Sequence, residues 1–78
     1  MAKNVKVYST TTCPYCTMVK DFLRGNNVPF TNLDVGIDRN ALVEMKEKSG
    51  QLGVPVIDID GKIIVGFDRD AIAGELGL

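Results

Sequence analysis

The sequence contains no histidine and no tryptophan, and only two cysteines. Without imidazole, Ser-His and Cys-His catalysis are excluded, and so is every histidine-ligated metal site. A surplus of basic charge is also missing: nine Lys and Arg stand against ten Asp and Glu, a net charge of -1. Nothing is therefore left over to neutralise a phosphate backbone, and nucleic acid is not an expected partner. Apolar runs are only a few residues long, too short for a membrane-spanning helix, so no membrane partner is expected. Met1-Ala2-Lys3-Asn4 carries no apolar signal-peptide core, which predicts a cytoplasmic protein. In that reducing compartment the two cysteines are not expected to form a permanent structural disulfide.

What is present suits one domain over residues 1–78. The 45% hydrophobic content is ordinary for a globular chain and too high for a disordered one. Val5 to Ser9 alternates apolar and polar residues and reads as a first strand. Cys13-Pro14 opens a helix, with Pro at a position where its missing N–H has no partner to lose. Val19, Phe22 and Leu23 form its buried stripe, and Gly25-Asn26-Asn27 ends it. Pro29 to Asp34 reads as a second strand, completing a βαβ unit whose strands should be parallel. Asp38 caps a second helix running to about Ser49, with Ala41, Leu42 and Met45 on its apolar face, and Gly50 stops it. Val56 to Ile59 and Lys62 to Val65 flank Asp60-Gly61, a strong hairpin signal. Gly66-Phe67 leads to a last helix capped by Asp68 or Asp70, with Ile72, Ala73 and Leu76 inward. The order β-α-β-α-β-β-α predicts an α/β fold: a four-stranded mixed sheet with three flanking helices, the thioredoxin-like arrangement.

Cys13-Pro14-Tyr15-Cys16 is the sharpest feature. Two cysteines separated by two residues at a helix start lie within disulfide reach. Cys13 sits where unpaired backbone N–H groups and the helix dipole favour a thiolate, so it is the expected nucleophile. Cys16, one turn inside, is expected to be covered and protonated until needed. The chemistry this implies is thiol–disulfide exchange. The competing interpretation, half of a zinc site, needs four ligands and hence a dimer. Val54-Pro55 begins the third strand, where an X-Pro bond can be cis at little cost. The topology brings this loop near Cys13, so the Val54 backbone can pair with an extended substrate; an ordinary strand-start proline is the alternative. Met18 and Met45 are expected as core gap fillers, Thr10 to Thr12 as loop, and Lys46 and Lys48 as a solvated helix face. Phe67 either plugs the core edge or meets a ligand, and Asp68 as a helix cap is compatible with Asp68 as a ligand.

These segments together resemble the glutaredoxin family. The matching residues are Val7-Tyr8-Ser9, Cys13-Pro14-Tyr15-Cys16, Gly53-Val54-Pro55-Val56-Ile57 and Val65-Gly66-Phe67-Asp68. The resemblance implies a cis Val54–Pro55 bond, reduction of protein disulfides or glutathione mixed disulfides, and glutathione as reductant. It makes Cys13 the nucleophile and Cys16 the resolving thiol. Tyr15 would flank bound glutathione, and Val54, beside Pro55, would pair with its cysteine moiety. Gln51 would reach its glycine carboxylate, and Gly66, Phe67 and Asp68 would hold its γ-glutamyl end. No metal is expected, and the default state is a monomer served by glutathione or by a glutathione or thioredoxin reductase system. Two departures stand out. Thr10 occupies a position where many members carry Lys, and Val65-Gly66-Phe67-Asp68-Arg69 replaces a frequent Gly-Gly-x-Asp-Asp. The Gly-Phe ending also resembles the hydrogen-donor redoxins of ribonucleotide reductase, which thioredoxin reductase serves and whose motif lacks the Pro-Tyr pair. A glutathione-ligated iron–sulfur carrier dimer is a further alternative.

Overall fold

Residues 4–78 are described by a computed structural model. Its elements are β1 (Val5–Ser9), α1 (Pro14–Gly25), β2 (Thr31–Asp34), α2 (Arg39–Ser49), β3 (Val56–Ile59), β4 (Lys62–Val65) and α3 (Arg69–Leu76). The strands lie in the order β2-β1-β3-β4. β1 and β2 are parallel, whereas β1–β3 and β3–β4 are antiparallel. This is the mixed sheet and thioredoxin-like fold that the sequence predicts.

Strand alternation divides the apolar residues between two faces of the sheet. Val5, Val7, Ile57, Ile59 and Ile64 point to one face, where Val19 and Leu23 of α1 and Ile72 of α3 cover them. Tyr8 and Val56 point to the other, where Ala41 and Met45 of α2 close over them. The hairpin turn puts Asp60 and Gly61 at φ 50° and 93°, both in the left-handed region. That pair suits the tight turn because the Asp and Gly tolerate a conformation most side chains resist. Asp68, not Asp70, caps α3, accepting from the Ala71 N–H at 3.1 Å.

Four details differ from the sequence reading. On α3, Ala71 rather than Ala73 packs against the core beside Ile72 and Leu76. β2 begins at Thr31 rather than Pro29, since proline has no N–H to contribute to a ladder. Met18 is exposed rather than a gap filler, because the apolar stripe of α1 passes through Cys16, Val19 and Leu23 on another side. Lys48 is not part of a solvated face. Its ammonium donates to Asp58 Oδ2 at 2.6 Å and to Tyr8 Oη at 3.1 Å, and it pairs with Glu44 at 2.9 Å.

The last of these belongs to a polar cluster between α2 and the sheet. Tyr8 Oη donates to Glu44 Oε1 at 2.8 Å, and Lys6 reaches the same oxygen at 3.5 Å. Asp58 Oδ1 accepts from the Gly61 N–H at 2.7 Å, so the buried carboxylate also holds the hairpin. Burial pushes the Tyr8 phenol above its ordinary value. Hydrogen bonds from Lys48 and then Tyr8 hold the Glu44 carboxyl down at about 2. A folded value below the unfolded one, about 4.3, means that the contribution to stability is present above that pH. It is lost as pH falls toward the folded value. The urea midpoint is therefore expected to drop between about pH 4.5 and about pH 2. In Glu44→Gln that part of the drop should be missing; an unchanged slope would show that Glu44 does not couple folding to protons.

Candidate active site

The turn after β1 delivers Cys13 as the N-cap of α1, in extended conformation at φ -95° and ψ 111°. Its sulfur takes the place of the capping oxygen common at this position. The Cys16 backbone N–H donates to Cys13 Sγ at 3.3 Å, a bond that strengthens when the sulfur carries charge. Pro14 fills the first helical turn, as its fixed φ suits. Both cysteines are free thiols; Cys13 is half-buried and Cys16 is fully buried. Burial, followed by the hydrogen bond with Cys13, pushes the Cys16 thiol up to about 11. A backbone hydrogen bond from Thr10 and the charge of Lys20 oppose that rise. The dithiol thus presents one accessible sulfur and one that stays protonated at neutral pH.

The loop before β3 comes up against this helix start. The Val54–Pro55 bond is cis, and Cys13 Sγ donates to the Val54 carbonyl at 3.8 Å. Among the described residues, no group accepts from the Val54 N–H. Behind it, the Gly66 N–H donates to the Pro55 carbonyl at 2.8 Å, fastening the turn after β4 to the same loop. Gly66 holds φ 82°, a conformation in which any side chain would be strained. The structure therefore brings Cys13, Val54, Pro55, Gly66 and the α3 cap Asp68 along one edge of the molecule. Tyr15 stands beside Cys13 with 62% of its surface exposed.

Phe67 and Gln51 also make contacts within the fold. The Phe67 ring packs edge-on against Phe22 at 6.1 Å, sealing the end of the α1–α3 core. Gln51 lies in the same loop as Val54, but its amide is turned back on its own segment. Nε2 donates to the Gly53 carbonyl at 3.0 Å and to Ser49 Oγ at 3.4 Å, and Oε1 accepts from the Gly53 N–H. Among the described residues, no cluster of three or more His, Cys, Asp or Glu could hold a metal ion. Nor is any helix long and apolar enough to cross a membrane. Lys20 acts on Cys16 from one turn further along α1, a neighbour that the motif spacing alone does not reveal.

A parallel-then-antiparallel four-stranded sheet with a cysteine pair at the first helix start defines a redox protein of the thioredoxin-like fold. The family model for glutaredoxin matches residues 5–64, and the chain belongs to the glutaredoxin family. It is 47% identical over 68 residues to an uncharacterised glutaredoxin-like 8.6 kDa protein in the rubredoxin operon of Clostridium pasteurianum, covering 87% of this chain and 91% of that one. Glutaredoxin 3 of Escherichia coli is 38% identical over 65 residues, covering 83% and 78% of the two chains. Among solved structures, the thioredoxin-like protein BC3987 superposes with a TM-score of 0.89 at 32% identity, covering 94% of this chain and 100% of that one.

Proposed function

We propose that the chain, as one redox domain, is a monomeric cytoplasmic dithiol oxidoreductase that reduces protein disulfides or glutathione mixed disulfides. The observation that carries this reading is the asymmetry of the pair: a reachable Cys13 sulfur at the helix cap and a fully buried Cys16 one turn behind it. Cys13 thiolate attacks one sulfur of the substrate disulfide, and the other leaves as a thiolate that takes up a proton. Cys16 then loses its proton and attacks Cys13, forming the Cys13–Cys16 disulfide as the second substrate thiolate departs. Two electrons have passed from the protein to the substrate. Two molecules of glutathione, or a reductase, return them.

Glutathione fits the edge described above. The unpaired Val54 N–H and its carbonyl suit strand-like pairing with the cysteine moiety, while Tyr15 flanks it. Gly66, Phe67 and Asp68 lead into the α3 start, whose backbone N–H groups suit the γ-glutamyl carboxylate. One observation favours a second reading, a hydrogen donor served by thioredoxin reductase. The Gln51 amide is already bonded to Gly53 and Ser49, and Thr10 offers no charge, so the glycine carboxylate gains little at that end.

The two readings separate in one assay. NADPH consumption with a disulfide substrate is followed in parallel, coupled to glutathione with glutathione reductase, or to thioredoxin reductase alone. Turnover is expected in the glutathione arm. Turnover confined to the thioredoxin reductase arm would transfer the assignment to the hydrogen-donor reading and withdraw the glutathione roles of Val54, Tyr15 and the Gly66–Asp68 turn.

A further inference from the structure

The surroundings of Cys16 change in a definite sense as the proposed reaction proceeds. In the free dithiol, burial and the neighbouring Cys13 hold its thiol protonated, while the Thr10 backbone and Lys20 act the other way. A mixed disulfide at Cys13 has neither a charge nor a thiol to share. The hydrogen bond and the charge of Cys13 then no longer oppose ionisation, burial still does, and both favourable influences remain.

Lys20 follows Cys16 by four residues within α1, the spacing of neighbours on one helix face. Helical side chains lean toward the N-terminus, which lays Lys20 back over the turn that holds Cys16. Lys20 is half-buried, and among the described residues it has no carboxylate partner. Several other charges on this side of the sheet are engaged. The Asp34 carboxylate of β2 accepts from the Gly36 N–H at 2.8 Å, and Asp21 of α1 pairs with Arg24 at 3.6 Å. Arg69 of α3 lies over the Phe22 ring at 5.5 Å, and β1 contributes the uncharged Ser9.

We propose that Lys20 is a positioning residue whose ammonium stabilises the Cys16 thiolate in the resolving step, so that Cys16 attacks only after Cys13 has been consumed. This rests on the dithiol reading given above. In that step the Cys16 sulfur, having given its proton to solvent, forms a bond to Cys13 Sγ. The bond from Cys13 to the substrate sulfur breaks, and that sulfur leaves as a thiolate and is protonated. Lys20 contributes charge and exchanges no atoms.

The test follows formation and decay of the mixed disulfide separately, by rapid quench and mass spectrometry, in the wild type, Lys20→Met and Lys20→Arg. Lys20→Met is expected to slow decay about threefold to tenfold at neutral pH and move its pH profile upward, since one pH unit corresponds to a factor of ten. Lys20→Arg, which keeps the charge, restores both. In a Cys13→Ser background, the ultraviolet titration of Cys16 should move upward with Lys20→Met, independently of turnover. Decay and titration unchanged in Lys20→Met, or a Lys20→Arg protein as slow as Lys20→Met, would overturn the role of Lys20 while leaving the dithiol reading intact. A wild-type protein that forms no mixed disulfide at Cys13 would overturn both.

Discussion

Cys13→Ser is expected to lower disulfide reductase turnover by roughly a thousandfold or more, because a hydroxyl cannot enter sulfur exchange. The geometry also predicts that the partner does not substitute for it. Cys16 is fully buried, and that burial, the largest cause of its raised thiol, persists when Cys13 is replaced, so the remaining sulfur stays shielded from substrate. Cys16→Ser should behave in the opposite manner. Cys13 still attacks, but the protein disulfide intermediate then has no internal thiol to release it and accumulates as a covalent adduct. Reduction of glutathione mixed disulfides, which external glutathione can complete, should survive in part. Turnover tracked by NADPH and adduct mass tracked by spectrometry distinguish the two variants. Full activity in Cys13→Ser would remove the basis of the proposed function.

The second large effect concerns stability. Lys48→Met is expected to cost about 2–3 kcal/mol, because it leaves the buried Asp58 carboxylate without its 2.6 Å ammonium partner. The lower part of the range for broken buried pairs applies, since 29% of the Lys48 side chain still meets solvent. Asp58 retains the Gly61 N–H, which limits the loss further. In a chain of this size such a change lowers the melting temperature by roughly 10–20 °C. Combining Lys48→Met with Asp58→Leu should recover part of the loss, as an apolar pair no longer strands a charge. Urea unfolding of the two single variants and the double variant measures that coupling. A Lys48→Met protein as stable as the wild type would reduce the cluster to a surface pair.

The fold was legible because its signals are local and agree with one another. Alternation in Val5–Ser9, the Asp60-Gly61 hairpin, Pro14 at a helix start and Asp38 as a cap each specify an element without tertiary information. The cysteine pair and Val54-Pro55 were legible as types of residue at set intervals, and the sheet order then places them together. What stayed hidden depends on contacts between distant segments. Lys48 reads as solvated until α2 is laid across the sheet over Tyr8 and Asp58, residues 40 and 10 positions away. Gln51 looks available until its amide turns back on Gly53, a choice made by loop geometry. Met18 reads as a gap filler until α1 is docked on the sheet through Cys16, Val19 and Leu23, which leaves Met18 facing solvent.

Of the chain's two tyrosines, Tyr8 is fully buried with its hydroxyl bonded to Glu44, and Tyr15 is exposed beside Cys13. With no tryptophan to mask them, these two phenols dominate the intrinsic emission of the protein, and they report on different things. Tyr8, held against a carboxylate acceptor inside the fold, is a gauge of tertiary integrity. Tyr15, exposed and two residues from Cys13, is expected to change its emission with what occupies that sulfur, a signal that Tyr15→Phe should remove.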